Sequence, residues 1–210
     1  MIEKNFLYRI ISSFFLIPII FFAIKYGSIF FNVLLIIALF ISIYEWMKFN
    51  VKYAIKTIGF FFLIYSFYSI YLFRNLDNIY ALSYFYLVVI ICISADIGGY
   101  VFGKIFGGPK LTKISPNKTY TGVLGAYFFS ILSSFFYLKI NYFLFNTIFE
   151  LILLILIISS ISQVGDLIVS FFKRKSNLKD TGKIIPGHGG LLDRIDGMIF
   201  VFPISYLMLF

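Results

Sequence analysis

Seven runs of about 20 mostly apolar residues divide this chain, and nothing else in it limits the possible folds so severely. As a helix, a run of that length matches the hydrocarbon thickness of a bilayer, and in lipid every backbone N–H and C=O must be paired within the segment. The runs fall at roughly Phe6–Ile24, Ser28–Ile43, Thr57–Phe73, Ile79–Ala95, Thr119–Leu138, Ile148–Phe172 and Leu191–Phe210. The second ends at Glu45-Trp46 at an interface, and the fourth ends on Asp96. Composition closes off a soluble alternative: 61% of residues are hydrophobic, 29 are Phe and 13% are charged, with a mean hydropathy of +0.98. The expected fold class is an all-α polytopic membrane protein of about seven transmembrane helices. The first run is followed by a second rather than by a small-residue cleavage site, so it reads as a span and not a cleavable signal.

The basic residues give the orientation. With the N-terminus cytoplasmic, the inner side holds Lys4, Arg9, Lys48, Lys52, Lys56, Lys104, Lys110, Lys113, Lys118, Lys173, Arg174, Lys175, Lys179, Lys183 and Arg194. The outer side holds only Lys25, Arg74 and Lys139 of the 18. That asymmetry follows the positive-inside rule. The net charge of +9 therefore reports cytoplasmic loops and anionic phosphate partners at a lipid bilayer, not nucleic acid. The lone cysteine, Cys92, can form no internal disulfide and reads as a small buried hydrophobe. Residues 1–75 read as anchor and packing helices. Residues 76–210 carry the polar chemistry, with cytoplasmic loops at 96–118 and 173–190.

The first of those loops, Asp96–Lys118, contains Gly98, Gly99, Gly103, Gly107 and Gly108 together with four lysines. Glycines let backbone amides approach a ligand, and lysines offer point charges to phosphate. A flexible loop whose lysines merely obey the topology rule explains the same residues. No GxxxxGK[ST] pattern is present, so this is not a P-loop.

The second loop lies within Ser170–Asp196, 27 positions holding six basic residues, three acids and the sole histidine, His188. The sixth helix runs inward with Asp166 about six residues before its inner end, roughly 9 Å at 1.5 Å per residue. The seventh runs outward with Asp193 about three residues in, roughly 4–5 Å deep, and Asp196 on the same face. Three carboxylates can therefore converge beneath the cytoplasmic surface with six cations above them. Acids in a membrane span are costly and are functional candidates by default. Clustered carboxylates beside Lys and Arg suit metal-assisted phosphoryl or nucleotidyl transfer, with Mg2+ held by a few carboxylates, water and substrate phosphates. An internal ion-pair network, such as Asp193 or Asp196 with Arg194 or Lys179, is the plainer alternative. His188, set in Pro186-Gly187-His188-Gly189-Gly190, either caps that turn or serves as a ligand or acid–base group. An ion- or proton-coupled transporter also uses intramembrane acids, but near the midplane and often on inverted repeats. These acids lie near one surface, and the chain has no repeat.

The stretch resembles the signature of the phosphatidate cytidylyltransferases, the CDP-diacylglycerol synthases. It supplies Ser170, Phe172, Lys173-Arg174, Lys179-Asp180, Gly182, Pro186, His188-Gly189-Gly190 and Asp193-Arg194-Ile195-Asp196 at the expected spacing. Upstream, the Asp96…Gly99-Tyr100…Gly103 run and Ser115-Pro116-Asn117-Lys118-Thr119 are similar to the family's middle loop. Family members commonly continue with Trp-Glu-Gly, where this chain has Tyr120-Thr121-Gly122. The chain is also short for the family, lacking a helix or two between Lys52 and Asp96.

The resemblance implies transfer of a cytidylyl group from CTP to phosphatidic acid in a bacterial-type cell membrane, with Asp166 and Asp193 on Mg2+ and a potassium ion nearby. It also implies a dimer. The expected catalytic set is Asp166, Asp193, Asp196 and Lys179. Ser115, Asn117, Lys118, Lys173, Arg174, His188 and Arg194 are expected to bind the substrates. A relative that only binds anionic lipid is the remaining alternative.

Overall fold

The structure is a computed structural model that describes residues 14, 18–78, 80–112, 114–139, 147–185, 187 and 189–209. The described residues are helical, with two isolated β-bridges and no strand. They form α1 (Ser28–Met47), α2 (Tyr53–Arg74), α3 (Ala81–Ile105), α4 (Tyr120–Leu138), α5 (Ile148–Lys175), α6 (Leu192–Ile195) and α7 (Met198–Leu209). Five of them, α1 to α5, are long and apolar enough to cross a membrane. Large apolar side chains such as Phe40, Leu124 and Phe136 point outward along their length, as lipid-facing residues do. This is an all-α, multi-pass membrane protein. Most of the first expected span lies outside the described residues, which are helical over 18–26.

Two compact units divide the chain: residues 1–75 with 172–195, and residues 76–171 with 196–210. In the first unit, the helical stretch 18–26 ends at Gly27, whose φ of 61° breaks the helix before α1. The Arg74 guanidinium takes the place a side chain at Gly27 would need, and donates to the Ile24 and Lys25 carbonyls at 2.6 and 3.2 Å. Those carbonyls belong to a helix end with no intrahelical partner, which a cation at its C-terminus satisfies. A short turn then joins α1 to α2. Trp46 stacks edge-on against Phe49 and Phe172, each at 5.2 Å, and its indole N–H donates to the Lys56 carbonyl. Glu45 and Trp46, expected at an interface, are both buried.

In the second unit, α3 differs from the expected span. It does not end at Ala95 but continues to Ile105. Asp96, Gly98, Gly99 and Gly103 are therefore helical, and the loop expected at Asp96 begins ten residues later. The reason is packing. Gly98 lies against the Gly125 carbonyl and Phe129, Gly99 against Gly122 and Ala126, and Gly103 against Thr119. Small residues spaced four apart let two membrane helices bring their backbones together, and membrane helices tolerate glycine for that purpose.

The last expected span also differs, because Asp196 and Gly197 interrupt it between α6 and α7. Asp196 Oδ1 accepts from the Gly197 amide at 2.9 Å, a local bond that competes with helix continuation. A Cβ at Gly197 would lie 2.9 Å from the Ser162 carbonyl, so α7 approaches α5 through bare backbone.

Candidate active site

The acids and lysines expected to carry chemistry form one cluster in each unit. In the second unit, the loop between α3 and α4 delivers Lys118. That loop is closed by main-chain bonds: Leu111 N–H to Lys118 O at 2.8 Å, Lys118 N–H to Ser115 O at 3.0 Å and Tyr120 N–H to Pro109 O at 3.2 Å. Thr119 caps α4 by accepting from the Gly122 amide at 3.1 Å. Lys118 Nζ then reaches Asp166 Oδ2 on α5 at 2.5 Å. Ser170, one turn further along α5, donates to Asp166 Oδ1 at 3.2 Å, and Asp196 also touches the Asp166 carboxyl. Asp166 thus meets both a lysine and a second acid. Ser115 contributes through its backbone carbonyl, and the Asn117 side chain is exposed.

In the first unit, Asp193 at the start of α6 is held from several directions. Lys173 Nζ lies 2.6 Å from Oδ1. Oδ2 accepts from the Thr181 amide at 2.8 Å and the Gly190 amide at 3.2 Å, and the Thr181 hydroxyl lies 3.0 Å away. A bridge between Ile185 and Gly189 closes the turn that leads into α6, with φ of 76° at Gly187 and 92° at Gly189. Those angles favour glycine, which explains why the turn is glycine-rich. Arg174, Lys179 and Arg194 are exposed, and Arg174 donates to the Leu178 carbonyl at 3.3 Å. His188 lies outside the described residues.

Asp193 and Asp196, expected on one helical face, do not share a helix: Asp193 lies in α6 and Asp196 in the break that follows it, and they take different partners. Two residues make contacts here that the sequence alone did not assign to the site. Glu45 accepts hydrogen bonds from Thr181, Leu191 and Leu192, and Thr181 contacts both Glu45 and Asp193. The sequence signal at Glu45 was an acid beside Trp46 at the end of an apolar run, which an interface also explains.

Two clusters of carboxylates, each matched by an ammonium group, suit binding and neutralising phosphate oxygens. Comparison with known proteins points the same way. The model of the Cytidylyltransferase family matches residues 50–210. A phosphatidate cytidylyltransferase of Bacillus subtilis is 39% identical over 137 residues, 65% of this chain and 50% of that protein. One from Staphylococcus haemolyticus is 41% identical over 134 residues, 63% of this chain and 50% of its own length. One from Rickettsia bellii is 43% identical over 132 residues, 58% of this chain and 56% of its own. The chain spans about half the length of the relatives it matches.

Proposed function

Because the chain belongs to the cytidylyltransferase family, we propose that it transfers the cytidylyl group of CTP to phosphatidic acid, giving CDP-diacylglycerol and pyrophosphate. The observation that carries this is the complete 27-residue signature, Ser170 to Asp196, lying inside the matched segment 50–210. The family match favours neither the transporter nor the non-catalytic lipid binder.

In the reaction a phosphatidate oxygen attacks the α-phosphorus of CTP, a new P–O bond forms, and the bond to the bridging oxygen breaks to release pyrophosphate. Phosphatidate is already an oxyanion, so no strong base is required. Positioning and charge neutralisation supply most of the rate. Lys173, Arg174, Lys179 and Arg194 would hold the phosphates of both substrates. Ser115, Asn117 and Lys118 would act from the α3–α4 loop, and His188 would join them as a substrate ligand.

Asp166 and Asp193 are the residues that would hold Mg2+, with Asp196 as a third or supporting carboxylate and K+ nearby. Their fit rests on chemistry seen here: each offers hard oxygen donors and already draws a cation to within 2.6 Å. Among the described residues, no three Asp, Glu, His or Cys side chains gather to hold a metal by themselves. Mg2+ does not need that, since it retains water and takes substrate oxygens as ligands. When bound, it would supply neutralisation of the phosphate oxygens.

The full topology belongs to the same proposal: seven spans, the N-terminus and the active site facing the cytoplasm, a bacterial cell membrane and a dimeric assembly. The test is Mg2+-dependent conversion of phosphatidic acid and labelled CTP in purified membranes, with Asp193→Asn alongside wild type. Product from wild type and a loss of several orders of magnitude in the variant support the reading. No product from any nucleotide or lipid phosphate overturns it.

A further inference from the structure

Glu45, near the C-terminal end of α1, has 0% of its surface exposed. An acid so enclosed is costly unless its oxygens are engaged. Oε2 accepts from the Thr181 hydroxyl and the Leu192 amide, both at 2.8 Å, and Oε1 accepts from the Leu191 amide at 3.1 Å. Two glycines make room for it. A Cβ at Gly190 would fall 2.6 Å from Oε2, and one at Gly182 would fall 2.9 Å from the Glu45 carboxyl carbon. A helix early in the chain thus places a carboxylate inside the signature stretch 136 to 147 residues later.

The Thr181 hydroxyl that meets Glu45 also lies 3.0 Å from Asp193 Oδ2, the oxygen reached by the Thr181 and Gly190 amides. One hydroxyl therefore joins the two acids. The Leu191 and Leu192 amides tie Glu45 to the backbone immediately before Asp193.

We propose that Glu45 is a positioning residue for Asp193: through Thr181 and the 191–192 backbone it sets where the Asp193 carboxylate stands, and with that the affinity for the divalent cation Asp193 helps to hold. The effect on rate rests on the cytidylyl-transfer reading. The effect on cation affinity does not need the reaction. Outer groups that orient a metal ligand are typically worth 10–100-fold in affinity or activity. A carboxylate that only fastened the 181–192 segment to α1 would change stability when removed, and would leave the cation affinity of the folded fraction unchanged.

The experiment is Mn2+ binding, followed by electron paramagnetic resonance, to the purified full chain in lipid nanodiscs. Wild type is compared with Glu45→Gln, Thr181→Val, Thr181→Ser and Asp193→Asn. Glu45→Gln and Thr181→Val are expected to weaken Mn2+ binding by roughly 10–100-fold and to lower kcat while KM for CTP holds. Thr181→Ser, which keeps the hydroxyl, is expected to bind as wild type does. Wild-type affinity in both Glu45→Gln and Thr181→Val at equal folded fraction overturns the proposal, as does a wild-type protein that binds no Mn2+. If Glu45→Gln does not fold, the contrast between Thr181→Val and Thr181→Ser decides alone. A wild type that binds Mn2+ but makes no product defeats the functional reading, while the affinity contrast still decides the positioning role.

Discussion

Lys173 Nζ lies 2.6 Å from Asp193 Oδ1, and the two side chains are only 12% and 7% exposed. A pair so nearly enclosed is held together as much by the cost of separating it as by its attraction. Lys173→Met is expected to destabilise the protein by on the order of 3 kcal/mol, because Asp193 stays enclosed without its counter-charge. Adding Asp193→Asn should recover most of that loss in stability but none of the activity. Thermal unfolding in detergent measures both variants. A double variant no more stable than Lys173→Met would show that the pair is not the cause.

The Lys118–Asp166 pair is shorter, at 2.5 Å, yet its side chains are 26% and 28% exposed. Solvent screens such a pair, which limits its contribution to about 1 kcal/mol or less. Lys118→Met is therefore expected to leave the melting temperature nearly unchanged. If Lys118 grips substrate phosphate, kcat/KM should fall by about 100-fold, the scale of one lost charge-stabilising donor. A melting temperature that drops as far as in Lys173→Met would contradict this distinction.

The α3–α4 crossing makes a sharper structural prediction. A Cβ at Gly98 would lie 2.7 Å from the Phe129 Cβ and closer still to the Gly125 carbonyl, whereas one at Gly99 would sit 3.6 Å from its nearest neighbour. Gly98→Ala is expected to cost roughly 1–3 kcal/mol through overpacking. Gly99→Ala should be neutral, or stabilising by up to about 1 kcal/mol, because alanine loses less backbone entropy in a helix. Folded yield and melting temperature report the contrast, and equal behaviour of the two would refute the crossing.

Thr121 is the second residue of α4. Its hydroxyl donates to the Gly107 carbonyl and lies 2.9 Å from the Thr119 hydroxyl. Thr121 therefore fastens the loop that carries Lys118. Thr121→Val is expected to cost about 1 kcal/mol and reduce activity, while Thr121→Ser retains both. Full activity and stability in Thr121→Val would leave Thr121 without this role.

The α3 prolongation shows why part of the molecule was illegible in one dimension. Gly98, Gly99 and Gly103 read equally well as a phosphate-cradling loop or a helix surface, since a residue without a side chain carries no periodicity signal. Only the arrival of Gly122, Gly125 and Ala126 decides between them. The break at Asp196-Gly197 is similar, because hydropathy runs through it, and the Asp196 bond to the Gly197 amide and the contact with Ser162 explain it.

What the sequence by itself determined is the class and the family. Apolar runs too long for ordinary core helices demand internally paired backbone, and that demand leaves helices in a bilayer whatever their neighbours are. The spacing of Lys173-Arg174, Lys179-Asp180 and Asp193-Arg194-Ile195-Asp196 names the family because residue identity alone carries it. Tertiary structure decided the partners: Lys118 on Asp166, Lys173 on Asp193, and Glu45 against Thr181 and the 191–192 amides. The physical reason is that hydropathy measures what it costs to place one side chain in lipid. The state of a buried acid depends on which donors reach it, and those come from distant parts of the chain.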